Sequence, residues 1–218
     1  MAGTIRPYLG ATVLEIGAGM GNLSRQLAPR RRRYIATDID AEHLTRLKSE
    51  LLHRPRLEVR QVDLTNPAHF EDFRGQMESV VCLNVLEHVA DDAQALRNIR
   101  SALAPGGRAI VLVPEGMEIY GQLDKVLGHC RRYSRAELQQ RMEQAGFRVE
   151  RILDFNRIAR PGWYLTGRLL KRNQMSAVQL WIYDRLVWLW RRIDGLLPWP
   201  GVSLIAIARK PESGARIQ

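Results

Sequence analysis

Three acidic side chains and one run of glycines stand where apolar segments end, and together they describe a ligand. The stretch Val13-Leu14-Glu15-Ile16-Gly17-Ala18-Gly19-Met20-Gly21-Asn22 follows an apolar run and precedes a helical pattern. Glycine allows a tight turn and lets a ligand approach the backbone. Amides at a helix N-terminus suit a carboxylate. Carbonyls near Gly17 and water near Glu15 suit an ammonium. The spacing is G-x-G-x-G, not the G-x-G-x-x-G of a dinucleotide site, and Glu15 would repel a pyrophosphate. Asp38, 21 residues past Gly17, ends a second apolar run and can accept from two ribose hydroxyls. Asp63 ends a third run and can accept from the exocyclic amine of a base. Taken singly, Asp38 could be a helix cap and Asp63 a turn residue. Taken together with the turn, they fit an amino acid joined to a nucleoside, as in S-adenosylmethionine.

The elements that position these residues alternate. Thr12–Ile16, Tyr34–Thr37, Leu57–Val62, Val80–Leu83, Arg108–Val113, Phe147–Leu153 and Val202–Ala208 read as strands. Between them, Asn22–Ala28, the segment after Asp40 (with Leu44, Leu47, Leu51 and Leu52 on one face), Val85–Leu103 and Ser134–Ala145 read as helices. Asp40 and Ser134 stand at cap positions, and Glu137 completes a capping box with Ser134. Strands joined by helical crossovers imply a doubly wound parallel α/β sheet with ligands at the strand carboxyl ends. The rhythm breaks at 156–200, which holds all five tryptophans. We read 1–218 as a single domain with a helical cap inserted at 156–200, and Pro211–Gln218 as a loose tail.

Composition narrows the class. With 218 residues, 45% hydrophobic and 26% charged, the chain is neither disordered, fibrous nor disulfide-stapled. Cys82 and Cys130 cannot form a CxxC site. No apolar leader and no stretch of ~18 uncharged apolar residues occurs, so a cytoplasmic protein is expected. The net charge of +10 invites a nucleic-acid partner. However, only 4 of the 33 basic residues are lysine, and arginines spread over the whole chain form no stripe. Arg30–Arg33 reads as a solvated loop.

These motifs resemble those of the class I S-adenosylmethionine-dependent methyltransferases over about residues 10–153 and 202–209, in the manner of bacterial enzymes acting on small molecules or lipid-sugars. The glycine turn matches the family's first motif, and Asp38 and Asp63 match its ribose and adenine acids. Ser79–Val89 resembles its fourth motif, in which Asn84 lies against the methionine part. Leu103-Ala104-Pro105-Gly106-Gly107 and Gln144-Ala145-Gly146-Phe147 resemble its turns into strands five and six. The resemblance implies a Rossmann-like seven-stranded sheet of order 3-2-1-4-5-7-6, with strand seven antiparallel. Ile5–Leu9 is similar to the end of the helix that precedes strand one. The expected cofactor set is Glu15, Gly17, Ala18, Gly19, Asn22, Asp38, Ile39, Asp63, Leu64 and Asn84.

Methyl transfer from a sulfonium mostly requires positioning of the acceptor, and a hydroxyl acceptor benefits from a base. His43, His53 and His69 read as surface residues away from strand ends. His88 is a second candidate base. Glu87-His88 also resembles the metal-binding Glu-His of some ubiquinone-type O-methyltransferases, but Asn84 replaces their carboxylate, so no metal is expected. Past strand five, Tyr120–Tyr133 is similar to a G-H-x-R-R-Y segment of bacterial lipid-sugar methyltransferases. His129 would then be the base, with Tyr120, Arg131, Arg132 and Tyr133 binding the acceptor. In the insertion, Trp163, Tyr164, Leu165, Val178, Trp181, Ile182 and Trp190 read as amphipathic helices. They would cap the site, line an acceptor tunnel, or touch a membrane surface through 160–200. The expected reaction is methylation of a small-molecule or lipid-linked acceptor, at a hydroxyl. The alternatives are a nucleic-acid methyltransferase, which the N-V-L-E-H turn disfavours, and a non-catalytic S-adenosylmethionine- or NAD-binding module.

Overall fold

A computed structural model describes residues 1–51, 56–174, 181 and 184–212; the side chains of residues 50, 51 and 191 are not described. Seven strands form one sheet: β1 (Thr12–Ile16), β2 (Arg33–Asp38), β3 (Leu57–Gln61), β4 (Met77–Leu83), β5 (Leu103–Pro114), β6 (Arg148–Phe155) and β7 (Ser203–Arg209). Their order is β3-β2-β1-β4-β5-β7-β6. The first five pair in parallel, and β7 lies antiparallel between β5 and β6.

The inner strands are apolar on both faces, and each face has its own core. Leu14, Val80, Cys82, Leu96, Ile99 and Leu138 pack on one side. Val13, Tyr34, Val81, Ile110 and Ile205 pack on the other. There α1 (Ala2–Ile5) buries Ala2 and Ile5 against the sheet, so a short helix does precede β1. Next come α2 (Ser24–Leu27) and α3 (Ala41–Leu51). Asp40 serves α3, its Oδ1 accepting the Glu42 amide at 2.7 Å. Leu52 and His53 lie outside the described residues.

The helix expected from Val85 to Leu103 is split. A 3-10 turn spans Leu86–His88, the chain extends at Val89, and α4 (Asp92–Ala102) restarts under an Asp91 cap whose Oδ1 accepts the Gln94 amide at 2.9 Å. The split lets Glu87 and His88 stay at the strand end. α5 (Gln122–Val126) is a single turn, and α6 (Arg135–Gln144) carries the anticipated Ser134–Glu137 box. Within the insertion, α7 (Arg160–Trp163) runs into a π-helix over Tyr164–Leu169, and α8 (Val187–Ile193) follows. Trp181 and Trp188 are exposed; Val178 and Ile182 lie outside the described residues. The amphipathic helices expected here are, where described, short pieces. No helix among the described residues is long and apolar enough to cross a membrane.

Candidate active site

β1 and β4 are neighbours whose crossovers leave to opposite sides, so a crevice opens at their carboxyl ends. Gly17 and Gly19 have φ of +73° and +53°, where a side chain is strained. A Cβ on Gly17 would overlap Val85, whereas one on Gly19 would meet nothing within 4 Å. The turn is therefore clamped below and open above. The Ala18 amide donates to Thr37 O and the Gly19 amide to Asp38 Oδ2, each at 2.8 Å. Asp38 Oδ1 accepts from the Asp40 amide at 3.0 Å. The acid at the end of β2 thus shapes the turn at the end of β1.

Glu15, expected to meet an ammonium through water, is instead buried beneath the turn. Its Oε2 accepts from Ser24 Oγ at 2.5 Å and from Tyr34 OH at 2.9 Å. Burial raises its carboxyl, and those two bonds offset only part of the rise. Asp63 stays ionised: Thr65 donates through its hydroxyl and its amide to Oδ1, at 2.7 and 2.8 Å, and holds the carboxyl below its usual range. Leu64 is buried and Ile39 exposed beside these acids. Asn84 is exposed at the end of β4 with φ +54°. Asn22 is exposed, its Oδ1 accepting from Arg25 Nη2.

His43 and His69 were placed away from strand ends by sequence reading. The structure puts His43 Nδ1 3.5 Å from Asp38 Oδ1, and His69 Nδ1 accepts the Asp63 amide at 3.0 Å. Each stands within one or two helical turns of its acid, a proximity that period counting does not register.

The second half of the site lies past β4 and β5. The Cys130 amide donates to Glu87 O at 2.8 Å, pinning the loop to the 3-10 turn. His129 Nδ1 is 2.9 Å from Asp124 Oδ1, and its Nε2 is 4.0 Å from Glu87 Oε1. The rings of His88 and His129 meet edge to face at 5.0 Å, and His88 Nδ1 is 3.1 Å from Gly128 O. Burial would raise the Asp124 carboxyl, but hydrogen bonding from His129 and the charge and hydrogen bond of Arg132 more than offset it and keep it below its usual range. Glu87 is fully buried, neither carboxyl oxygen accepts a hydrogen bond, and burial pushes it up to about 7.

Glu87, His88 and His129 bring ligand atoms within 4.8 Å of one another, a donor set able to share one divalent cation. The expectation of no metal rested on Asn84, and His129 supplies from another element the third donor that Asn84 lacks.

Three acceptor contacts need correction. Arg132 is buried, its Nε donating to Asp124 Oδ1 at 2.8 Å and its Nη1 to Glu115 O at 2.9 Å. Its guanidinium lies 4.9 Å from the Trp163 ring. Arg131 donates to Asp92 Oδ2 and Ala90 O, and Tyr133 OH donates to Asp92 Oδ2 at 3.0 Å. Arg132 and Tyr133 are spent inside the protein, and part-exposed Arg131 is tied to Asp92, because a loop that leaves β5 and must seat α6 needs its own hydrogen-bond partners. Tyr120 is half-buried and donates to His129 O at 2.9 Å. Asp124 was the residue missed. Its signal was the return half of a capping box on α5 (Gly121 amide to Asp124 Oδ2, 3.0 Å), hidden because glycine has no side chain to supply the other half.

A methyltransferase-domain family profile matches residues 5–152. The chain is 32% identical over 102 residues to a ubiquinone biosynthesis O-methyltransferase of Aeromonas salmonicida, covering 47% of this chain and 42% of that protein. It is 32% identical over 146 residues to a Mycolicibacterium smegmatis protein named as a probable S-adenosylmethionine-dependent methyltransferase, covering 66% and 54%. The chain thus spans about half the length of these curated relatives. An S-adenosylmethionine-dependent methyltransferase structure from Mesorhizobium loti superposes with a TM-score of 0.64 at 15% identity, covering 95% of each chain.

Proposed function

Because the chain belongs to the methyltransferase-domain family, and so to the class I S-adenosylmethionine-dependent methyltransferases, we propose that it moves a methyl group from S-adenosylmethionine to a hydroxyl of a small-molecule or lipid-linked acceptor. The cradle fits the cofactor in an observable way: the turn has empty space above Gly19, Asp38 ends β2, and Asp63, held below its usual range by Thr65, lies two residues past β3. In this reading Gly17, Ala18, Gly19 and Asn22 hold the amino-acid part, and Glu15 stiffens their turn from below. Asp38 and Ile39 hold the ribose, Asp63 and Leu64 the base, and Asn84 the methionine chain. When bound, the cofactor supplies an electrophilic methyl on a sulfonium.

The observation that carries the hydroxyl reading is the Asp124–His129 pair, with Nδ1 2.9 Å from the carboxylate. An ionised carboxylate there favours the Nδ1–H tautomer, which leaves the Nε2 lone pair free to take a proton. Arg132 keeps Asp124 charged from below. Glu87, beside Nε2, stabilises the imidazolium that forms. The O-methyltransferase relative supports a hydroxyl acceptor, and the half-buried Trp163 above Arg132 supports one with an apolar body.

The test is a turnover assay with labelled cofactor and catecholic or lipid-extract acceptors. His129→Ala should lower turnover ~10²-fold or more with cofactor affinity unchanged, and Asp124→Asn should fall in the same direction. If both variants turn over normally, the base lies elsewhere.

A further inference from the structure

Three short segments meet at the mouth of this site and leave their apolar side chains uncovered. They are the turn Met117–Ile119, α5 with Leu127 after it, and the π-helix with the three residues after it. Gly121 and Gly167 let α5 and the π-helix touch: a Cβ on Gly121 would overlap Gly167 O, and one on Gly167 would press on Leu123. Arg168 Nη1 donates to Tyr120 O at 3.1 Å, and Tyr120 in turn holds His129 O.

On this platform Met117, Val126, Leu127, Leu165, Leu169 and Leu170 are all exposed, Leu169 by 63%. Lys125, Arg168, Lys171 and Arg172 are exposed around them. The one exposed acid on these segments, Glu118, is paired with Arg160. An apolar centre with a cationic fringe is the pattern of an interfacial surface. Its charge complements an anionic bilayer, whose surface attracts each nearby lysine or arginine.

We propose that this platform seats the protein on an anionic lipid surface, with the Tyr120–His129 mouth turned toward the bilayer. The inference rests on the methyl-transfer reading for its meaning, since a lipid-linked acceptor would then enter from the membrane side.

The test floats the full chain with vesicles of phosphatidylcholine alone and with phosphatidylglycerol added, at low and high salt. Cofactor affinity is measured on the same preparations. Binding is expected only with phosphatidylglycerol and should weaken with salt. Lys171→Glu should reduce it at least fivefold. Leu169→Asp should reduce it at least tenfold, with an unchanged melting curve because the residue is exposed. Trp188→Asp, on α8, should bind as the parent does. Absence of lipid-dependent flotation, or equal binding by Leu169→Asp, overturns the surface. So does a dimer in solution that Leu169→Asp dissolves without any vesicle binding. Cofactor affinity retained without flotation refutes only the membrane surface, whereas flotation without cofactor affinity refutes the methyl-transfer reading.

Discussion

Arg132→Leu separates two roles that one guanidinium could have. If Arg132 clamped an acceptor anion, its loss would raise the acceptor KM and leave stability alone. The structure has it 3% exposed, bonded to Asp124 and Glu115 O and lying against Trp163. Removing it leaves Asp124, itself 0% exposed, facing His129 without its permanent cation. Breaking one side of a buried pair costs about 3–5 kcal/mol, whereas removing both partners costs much less. Urea unfolding should therefore show Arg132→Leu destabilised by about 3–5 kcal/mol. The double variant Arg132→Leu/Asp124→Leu should be more stable than the sum of the single variants requires. The pH dependence has a fixed sign. Asp124 is held below its ordinary 3.8 by His129 and Arg132 against burial, so its contribution is present above 3.8 and lost as pH falls through the lower folded value. The gap between parent and variant should then be widest near neutrality and narrow below about pH 4. A variant of parental stability and raised acceptor KM would refute this account.

Other outcomes follow from the same geometry. Asp38→Ala should weaken S-adenosylmethionine binding by ~1–3 kcal/mol in calorimetry, since it loses both ligand acceptors and the Gly19 tie; NAD should not bind. Glu87→Gln should stabilise the protein above pH 7 by roughly 3 kcal/mol in chelator-treated buffer, with no gain near pH 4. Burial raises this carboxyl from 4.5 to about 7, so the fold is favoured while it is protonated and loses stability as pH climbs through that interval. Urea melts across pH 4–8 would show the difference, and parallel curves would refute it.

Much of the fold was legible because hydrophobic periodicity reports burial. The glycine turn, the acids Asp38 and Asp63 and the Ser134 cap all sit at or just past the ends of regular elements. The strand order, with its antiparallel seventh strand, came only through family resemblance, because pairing depends on contacts distant in sequence. The acceptor side was read less well. Arg131, Arg132 and Tyr133 have the residue types of a ligand clamp, and only their partners Asp92, Asp124 and Glu115 reveal a supporting role. The split after β4 was missed because Leu86 to Leu103 keeps helical apolar spacing even where Asp91 restarts the helix.

The hairpin formed by β6 and β7 has a consequence for how the sequence can change. Phe155 stands opposite Ser203, and the Gly201 amide donates to Asp154 Oδ1 at 3.0 Å. The two ends of residues 156–202 are thus already stitched together by the pairing of edge strand β6 with buried β7. Loop closure then grows by only about 0.6 kcal/mol for each doubling of length. Apart from the residues that touch the site, Arg160, Trp163 and Gly167 among them, what is strung between those anchors can lengthen or shorten at little cost to the sheet. The catalytic chassis and the segment above it can therefore diverge on separate evolutionary clocks.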